Sequence, residues 1–353
     1  MFNFIEKIQK IKIPFFPYFK IYLDLGTSVT KIAIKDKGII LRQSTYLAYD
    51  TKKDIVTFIG DEAKEIVGKT PDFIKIIRPI VSGVISDFDS EVILLKNFLQ
   101  QSIELYTKNK LIKPIVEALT VVPTIATEIE QKAVKEALLK TDISQVYLLE
   151  KILATASGCG IDIFSSHPNL IIEIGGGLTE IAIVGSGNII RQKTLKIAGE
   201  YFNKVINNYL YLKHGIILGE NTCEELKNNL LEFDKTEKIE TVRGKSLETG
   251  LPKSLRIKSS EIREALIPYF NQIIDTTKEV IEGCPPEIID EILKKGIILT
   301  GGMAKVKGLD QFFAKELQLD VFISTHPQEA TINGLIELEK KDKKLLKNLL
   351  IFI

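Results

Sequence analysis

The sequence predicts an α/β protein built from two duplicated domains, and three observations carry that expectation. The chain matches itself: residues 22–34 read YLDLGTSVTKIAI and residues 171–183 read IIEIGGGLTEIAI, an offset of 149 residues. Each copy is a short apolar strand ending in an acid-x-Gly turn, followed by an alternating strand, a glycine turn (Gly38; Gly185 and Gly187) and a third strand. The 353 residues, 45% hydrophobic and 26% charged, are enough for about two domains with cores of their own. Copies this far apart indicate a duplicated domain; the repeats of a solenoid span only tens of residues.

Taken in order, the chain opens on an amphipathic stretch. Met1, Phe4, Ile5, Ile8 and Ile11 fall at helical spacing, Lys7, Lys10 and Lys12 occupy other positions around the turn, and Pro14 stops the helix. Such a helix either lies in a membrane interface or packs on the protein's own surface, and the pattern alone leaves both open. Lysines at 7, 10, 12 and 20 interrupt every candidate apolar core of a signal peptide, and no apolar run approaches the roughly 18 residues of a membrane span. A cytoplasmic location is therefore expected.

The two hairpins come next, and their chemistry is phosphate handling. Small residues after the acid let backbone N–H groups approach a polyphosphate and form an anion-binding concavity. Asp24 and Glu173 sit at equivalent strand ends. If the domains face each other, both carboxylates reach the cleft floor, where they are expected to hold a hydrated magnesium ion. The segment 219–227, GENTCEELK, reads as a helix start with Thr222 as N-cap and Glu225 three residues on, and it places Glu224 and Lys227 on one face. Residues 296–304, GIILTGGMA, read as a buried strand running into a Gly-Gly turn where backbone passes close to a flat ligand. The apolar C-terminus, 345–353, reads as a docking helix in preference to a subunit contact.

Several function classes are disfavoured. With 47 basic against 46 acidic residues there is no charge excess to drive nucleic-acid binding. Cys159, Cys223 and Cys284 are isolated, and His167, His214 and His326 lack metal-ligand spacing. Neither a GxxxxGK[ST] loop nor a GxGxxG opening a helix is present.

These residues resemble the actin-like ATPases and, within them, the bacterial MreB cell-shape family. Beyond the hairpins, the resemblance runs through IGDEAK (59–64), IRPIVSGVISDF (77–88), VPT (122–124) with EQKAV (130–134), IAGE (197–200), GENTCEELK, VRGKSLETGLPK (242–253) and LTGGMAKVKGLD (299–310). It covers about residues 20–325 in the family's order. It implies a two-lobed actin-like fold of two duplicated RNase-H-like domains, each with a smaller inserted subdomain and with ATP and Mg2+ between them. The implied boundaries are a membrane-binding segment 1–19; subdomain IA at 20–42, 77–157 and 327–353; IB at 43–76; IIA at 158–194 and 260–326; and IIB at 195–259.

By motif, Gly26, Thr27, Ser28 and Val29 form the first phosphate site with Asp24, and Gly175, Gly176 and Gly177 form the second with Glu173. Glu224, Glu225, Leu226 and Lys227 on one side, and Gly301, Gly302, Met303 and Ala304 on the other, touch the adenosine. Glu150, Lys151 and Thr179 fall in the family's catalytic positions. The implied partners are further copies of the chain in double protofilaments, the inner face of the cytoplasmic membrane, and membrane proteins of the cell-wall elongation machinery, with no nucleic acid. Lys110–Lys113 would fit a small membrane loop or a plain connection. The alternative within the superfamily is a small-molecule (sugar or carboxylate) kinase, but no extra acid is evident as its base.

Three departures from the family pattern fall in the site. Glu173 replaces an aspartate, shifting the carboxylate by about 1.5 Å in a site where about 1 Å can cost a hundredfold. Lys151 stands where a glutamate orients the attacking water, and a protonated lysine cannot accept that proton; Glu150, its neighbour, points elsewhere. Met303 replaces a third glycine. Nucleotide binding with weak hydrolysis is the resulting expectation.

Overall fold

The computed structural model describes residues 18–107, 114–234, 236–341 and 343–352. The amphipathic helix expected over the first residues and the 110–113 loop lie outside them.

The duplication in the sequence is a duplication of sheets. In the first, strands β1 (Tyr18–Leu25), β2 (Val29–Ile34) and β3 (Gly38–Ser44) form an antiparallel meander, and β4 (Ile115–Val122) and β5 (Gln145–Glu150) add in parallel, giving the order β3-β2-β1-β4-β5. In the second, β6 (Asn169–Ile174), β7 (Thr179–Gly185) and β8 (Asn188–Leu195) form the meander, and β9 (Ile297–Thr300) and β10 (Val321–Ile323) add in parallel in the same order. Register is conserved between the copies: Asp24 faces Lys31 across β1–β2, and Glu173 faces Glu180 across β6–β7. The first strand of each copy is buried on both faces by flanking helices, which explains the near-continuous apolar runs around the two acids.

Smaller sheets decorate each lobe. Strands 47–50, 55–59 and 74–77 form one between β3 and the helix Phe88–Thr107; strands 216–217, 239–246 and 252–258 form another in the second half. Helices α2 (Gly199–His214) and α3 (Glu220–Leu230) lead into the latter. Helix α3 starts three residues earlier than the sequence suggests. Gly219, extended at φ −70° and ψ 156°, is its N-cap, and Thr222 lies inside the first turn. The Gly219 carbonyl accepts from Cys223 N–H, so the helical ladder is already closed there without a side-chain cap.

Two helices join the lobes. Helix α1 (Lys151–Gly158) follows β5 and crosses α4 (Ala330–Lys340), and their apolar faces share one core with Tyr22 and Leu119 of the first sheet and Ile171 and Ala182 of the second. Glycine is required at the crossing. A Cβ on Gly158 would stand 1.8 Å from the Ala330 carbonyl oxygen, and one on Gly334 1.7 Å from that of Ala154. The C-terminus docks on its own chain: Leu346 and Leu349 are buried in the same core, and β11 (Leu350–Ile351) pairs antiparallel with β5 as an additional edge strand.

Candidate nucleotide cleft

The carboxyl ends of β1 and β6 face each other across a cleft of about 320 Å³ between the lobes. Its two sides are copies of one turn. A Cβ on Gly26 would stand 2.5 Å from the Val29 carbonyl oxygen, and one on Gly175 3.2 Å from that of Leu178, so each hairpin tightens at the same step. The turns also approach each other: a Cβ on Gly176 would meet Ser28 Oγ at 2.1 Å, and one on Gly177 would meet Thr27 Oγ1 at 2.2 Å. Side chains at 176 and 177 would fill the gap where backbone N–H groups and hydroxyls now line a concavity suited to an anion.

The second turn is braced from behind by α2, whose first N–H groups, Gly199 and Glu200, donate to the Gly175 and Gly176 carbonyls at 3.0 and 2.8 Å. In the first turn, Thr45 Oγ1 donates to the Gly26 carbonyl at 2.8 Å. Both sets of carbonyls are thereby engaged by protein donors, which lessens the negative potential they present to an anion.

The floor is ionic. Lys31 Nζ lies 2.6 Å from Asp24 Oδ2, and Lys151 Nζ lies 2.6 Å from Glu173 Oε1 and 3.9 Å from Glu180 Oε2. Thr155, one turn after Lys151 on α1, brings its hydroxyl within 3.1 Å of Glu173 Oε2. Burial would raise the Asp24 pKa, but Lys31 and Lys151 outweigh it and hold the carboxyl below the usual range. Burial would likewise lower that of Lys151, and Glu173, Glu180 and Asp24 reverse the sign, so its ammonium keeps its proton well beyond neutral pH. Lys151 therefore cannot serve as a base toward water at neutral pH.

One wall is α3. Glu224 pairs with Lys64 of the helix Asp61–Glu65 at 2.9 Å and not with Lys227, as its helical spacing would allow. Lys227 instead turns inward and donates to the Gly199 carbonyl at 2.7 Å; burial pulls its pKa down to about 8. The opposite wall is the Gly301–Gly302 turn. Gly301, at φ 89°, abuts the backbone of Ile174, and Met303 closes the floor behind it. Across the mouth, Asn221 Nδ2 donates to the Lys64 carbonyl at 3.1 Å, and Arg78 pairs with Glu220 and, at 3.7 Å, with Glu200.

Most of the residues singled out in the sequence converge here. Asp24, Gly26, Thr27, Ser28, Val29, Lys151, Glu173, Gly175, Gly176, Gly177, Glu224, Lys227, Gly301, Gly302 and Met303 line the cleft. Glu150, Thr179, Glu225, Leu226 and Ala304 lie outside its lining. Thr179 is fully buried and donates to the Ile197 carbonyl at 2.6 Å, Leu226 and Ala304 belong to the second lobe's core, and Glu150 is the extended residue preceding α1.

Lys31, Lys64 and Asn203 also line the cleft, though the sequence reading assigns none of them a role in it. The signal for Lys31 lies in the self-match, which places it opposite Asp24 once the hairpin register is drawn. Asn203, on α2, is buried with its Oδ1 lacking a hydrogen-bond partner among the described residues. A buried carbonyl oxygen left unpaired at a cleft wall is a place for a ligand's hydroxyl or amino group.

Comparison with known proteins agrees with this geometry. A family model described as MreB/Mbl protein matches residues 18–347. The chain is 36% identical over 324 residues to the cell shape-determining protein Mbl of Bacillus subtilis (strain 168), spanning 91% of this chain and 96% of that one. The crystal structure of MreB 5 of Spiroplasma citri bound to AMPPNP superimposes with a TM-score of 0.86 at 32% identity, covering 94% of this chain and 98% of that one. The MamK double helical filament subunit superimposes at 0.74 with 18% identity, over 92% and 99% of the two chains, a likeness of fold. The fold is therefore the two-lobed actin-like one.

Proposed function

Since the chain belongs to the MreB/Mbl family of actin-like cytoskeletal proteins, we propose that it binds ATP in the interlobe cleft and assembles into filaments that help determine cell shape. The observation that carries the nucleotide reading is the pair of facing glycine turns, 26–28 and 175–177, in which any Cβ at 176 or 177 would occupy the gap. That gap suits phosphate oxygens held by backbone N–H groups, with Thr27 and Ser28 hydroxyls beside them. The base and ribose would lie between Gly301–Met303 and the α3 face bearing Glu224 and Lys227, with the free Asn203 carbonyl oxygen available to a ribose hydroxyl.

Hydrolysis is weak in this reading. Transfer of a phosphoryl group to water depends on positioning the water, and the group at the end of β5 that faces the cleft is an ammonium. Glu150, one residue earlier, lies outside the lining, and Thr179 is committed to a backbone carbonyl. The chain thus holds nucleotide as a structural ligand that sets the lobe arrangement. A kinase acting on a small molecule would need a base carboxylate free in the cleft; Asp24 and Glu173 are both ion-paired.

Filaments of this kind, attached to the inner face of the cytoplasmic membrane through the amphipathic segment 1–19, would recruit membrane proteins of the cell-wall elongation machinery. Among the described residues no helix is long and apolar enough to cross a membrane, so attachment would be peripheral. The test is sedimentation of the purified chain after addition of ATP, with and without anionic liposomes. Polymer in the pellet, enriched by liposomes, is expected; a chain that stays in the supernatant under every condition would refute filament formation.

A further inference from the structure

Two carboxylates line the cleft floor, Asp24 and Glu173, those expected to hold magnesium, and Glu180 lies outside the lining with its Oε2 3.9 Å from Lys151 Nζ. Neither of the two lining carboxylates is open. Asp24 Oδ2 is 2.6 Å from Lys31 Nζ. Glu173 Oε1 is 2.6 Å from Lys151 Nζ, and its Oε2 is 3.1 Å from the Thr155 hydroxyl. Magnesium demands near-ideal octahedral geometry at about 2.0–2.1 Å and sheds water reluctantly, so an ammonium already in contact with the ligand oxygen competes for the same space. The donor set does not fit a magnesium ion held by these carboxylates.

The charge that such an ion would bring is already present. Lys31 and Lys151 both line the cleft, and two ammonium groups carry the charge of one divalent cation. Lys151 Nζ lies 4.0 Å from the position a Cβ of Gly175 would take, beside the second glycine turn. An ammonium has three N–H donors, and the carboxylate contacts described leave others free to reach phosphate oxygens.

We propose that this chain takes up a nucleoside triphosphate without a divalent cation, with the ammonium groups of Lys31 and Lys151 supplying the positive charge at the phosphates. The proposal rests on the nucleotide reading above and adds the counter-ion to it. Lysine also explains how these acids are tolerated: without Lys31 and Lys151, three buried carboxylates would be left without a cationic partner.

The test is calorimetric titration of the full chain with ATP, once in excess magnesium and once in EDTA. Dissociation constants that agree within about threefold are expected. Loss of affinity by about tenfold or more in EDTA would overturn the proposal while leaving the nucleotide reading standing. Absence of ATP binding in both buffers would overturn both. A second arm uses Lys151→Glu, which replaces one ammonium by a carboxylate. That variant is expected to bind ATP at least about tenfold more tightly in magnesium than in EDTA. Equal affinity in the two buffers for the variant would remove Lys151 from the role.

Discussion

Lys151 Nζ and Glu173 Oε1 lie 2.6 Å apart, an ion pair that spans the two lobes at the floor of the cleft. Lys151 begins the helix after the last parallel strand of the first sheet, whereas Glu173 ends the first strand of the second. The pair therefore ties the lobes together at the point where nucleotide would lie, and it commits both groups to structure as well as to binding.

Replacing Lys151 by Met removes the cation and leaves Glu173 and Glu180 as neighbouring buried carboxylates. The unfolding free energy of the nucleotide-free chain should fall by roughly 3–5 kcal/mol, the range for breaking a buried pair on one side. Urea denaturation at neutral pH reads this directly, and a variant as stable as the parent would mean the pair contributes little.

The crossing of α1 and α4 tolerates no side chain at its two glycines. Gly334→Val should destabilise by about 3 kcal/mol or more, because the first added carbon already overlaps a backbone carbonyl that cannot move without shifting the helix. Thermal melting compares it with Gly68→Ala, where nothing lies within 4 Å of the added carbon and only the positive φ of 75° opposes it. The crossing variant should melt well below the loop variant.

Within the cleft, Gly177→Val places branched carbon against the Thr27 hydroxyl. ATP affinity should drop by about tenfold or more because the phosphate gap is filled, together with some loss of stability, since the added carbon would lie 2.8 Å from Thr27 Cβ, which rotation of the side chain cannot move. A large loss of stability with affinity retained would contradict the assignment of this gap to phosphate.

Glu91, in the first turn of the helix Phe88–Thr107, is fully buried, and neither carboxylate oxygen has a hydrogen-bond partner among the described residues. Burial pushes its pKa from 4.5 up to about 8. Between those values the folded chain keeps a proton that the unfolded chain has released, so this group's contribution to stability falls as pH rises from about 4.5 to about 8. Glu91→Gln removes that slope and should stabilise the chain at pH 8 by roughly 1–3 kcal/mol, with little effect at pH 4. Denaturation curves of parent and variant at the two pH values check it.

Much of this fold was legible because duplication writes the same pattern twice. The acid-x-Gly turns at 24–26 and 173–175 predict the two meanders, and both are present in the same strand order. Their joint cleft follows from the turns, which need glycine because each turn folds tightly on its own backbone and Gly176 and Gly177 lie against the Ser28 and Thr27 side chains. Less legible were contacts set by tertiary approach. The i,i+3 spacing of Glu224 and Lys227 suggests a pair, yet Lys64, 160 residues away from Glu224 in the chain, takes the carboxylate, and Lys227 turns to the Gly199 carbonyl. Lys151 was legible as a departure from the family's pattern, but its partner was not, because nothing local links 151 to 173. The N-cap of α3 was misplaced because Thr222 and Glu225 mimic a capping box one turn too late, while the chain enters the helix through Gly219.

The most direct measurement is phosphate release from polymerised protein at saturating ATP, followed in the same sample as sedimentation, for the parent and for Lys151→Glu. The parent should pellet with slow release, and the variant should release phosphate faster, because a carboxylate at 151 can orient water. Brisk, polymer-stimulated release by the parent would contradict the reading of this cleft as one that binds ATP and hydrolyses it weakly.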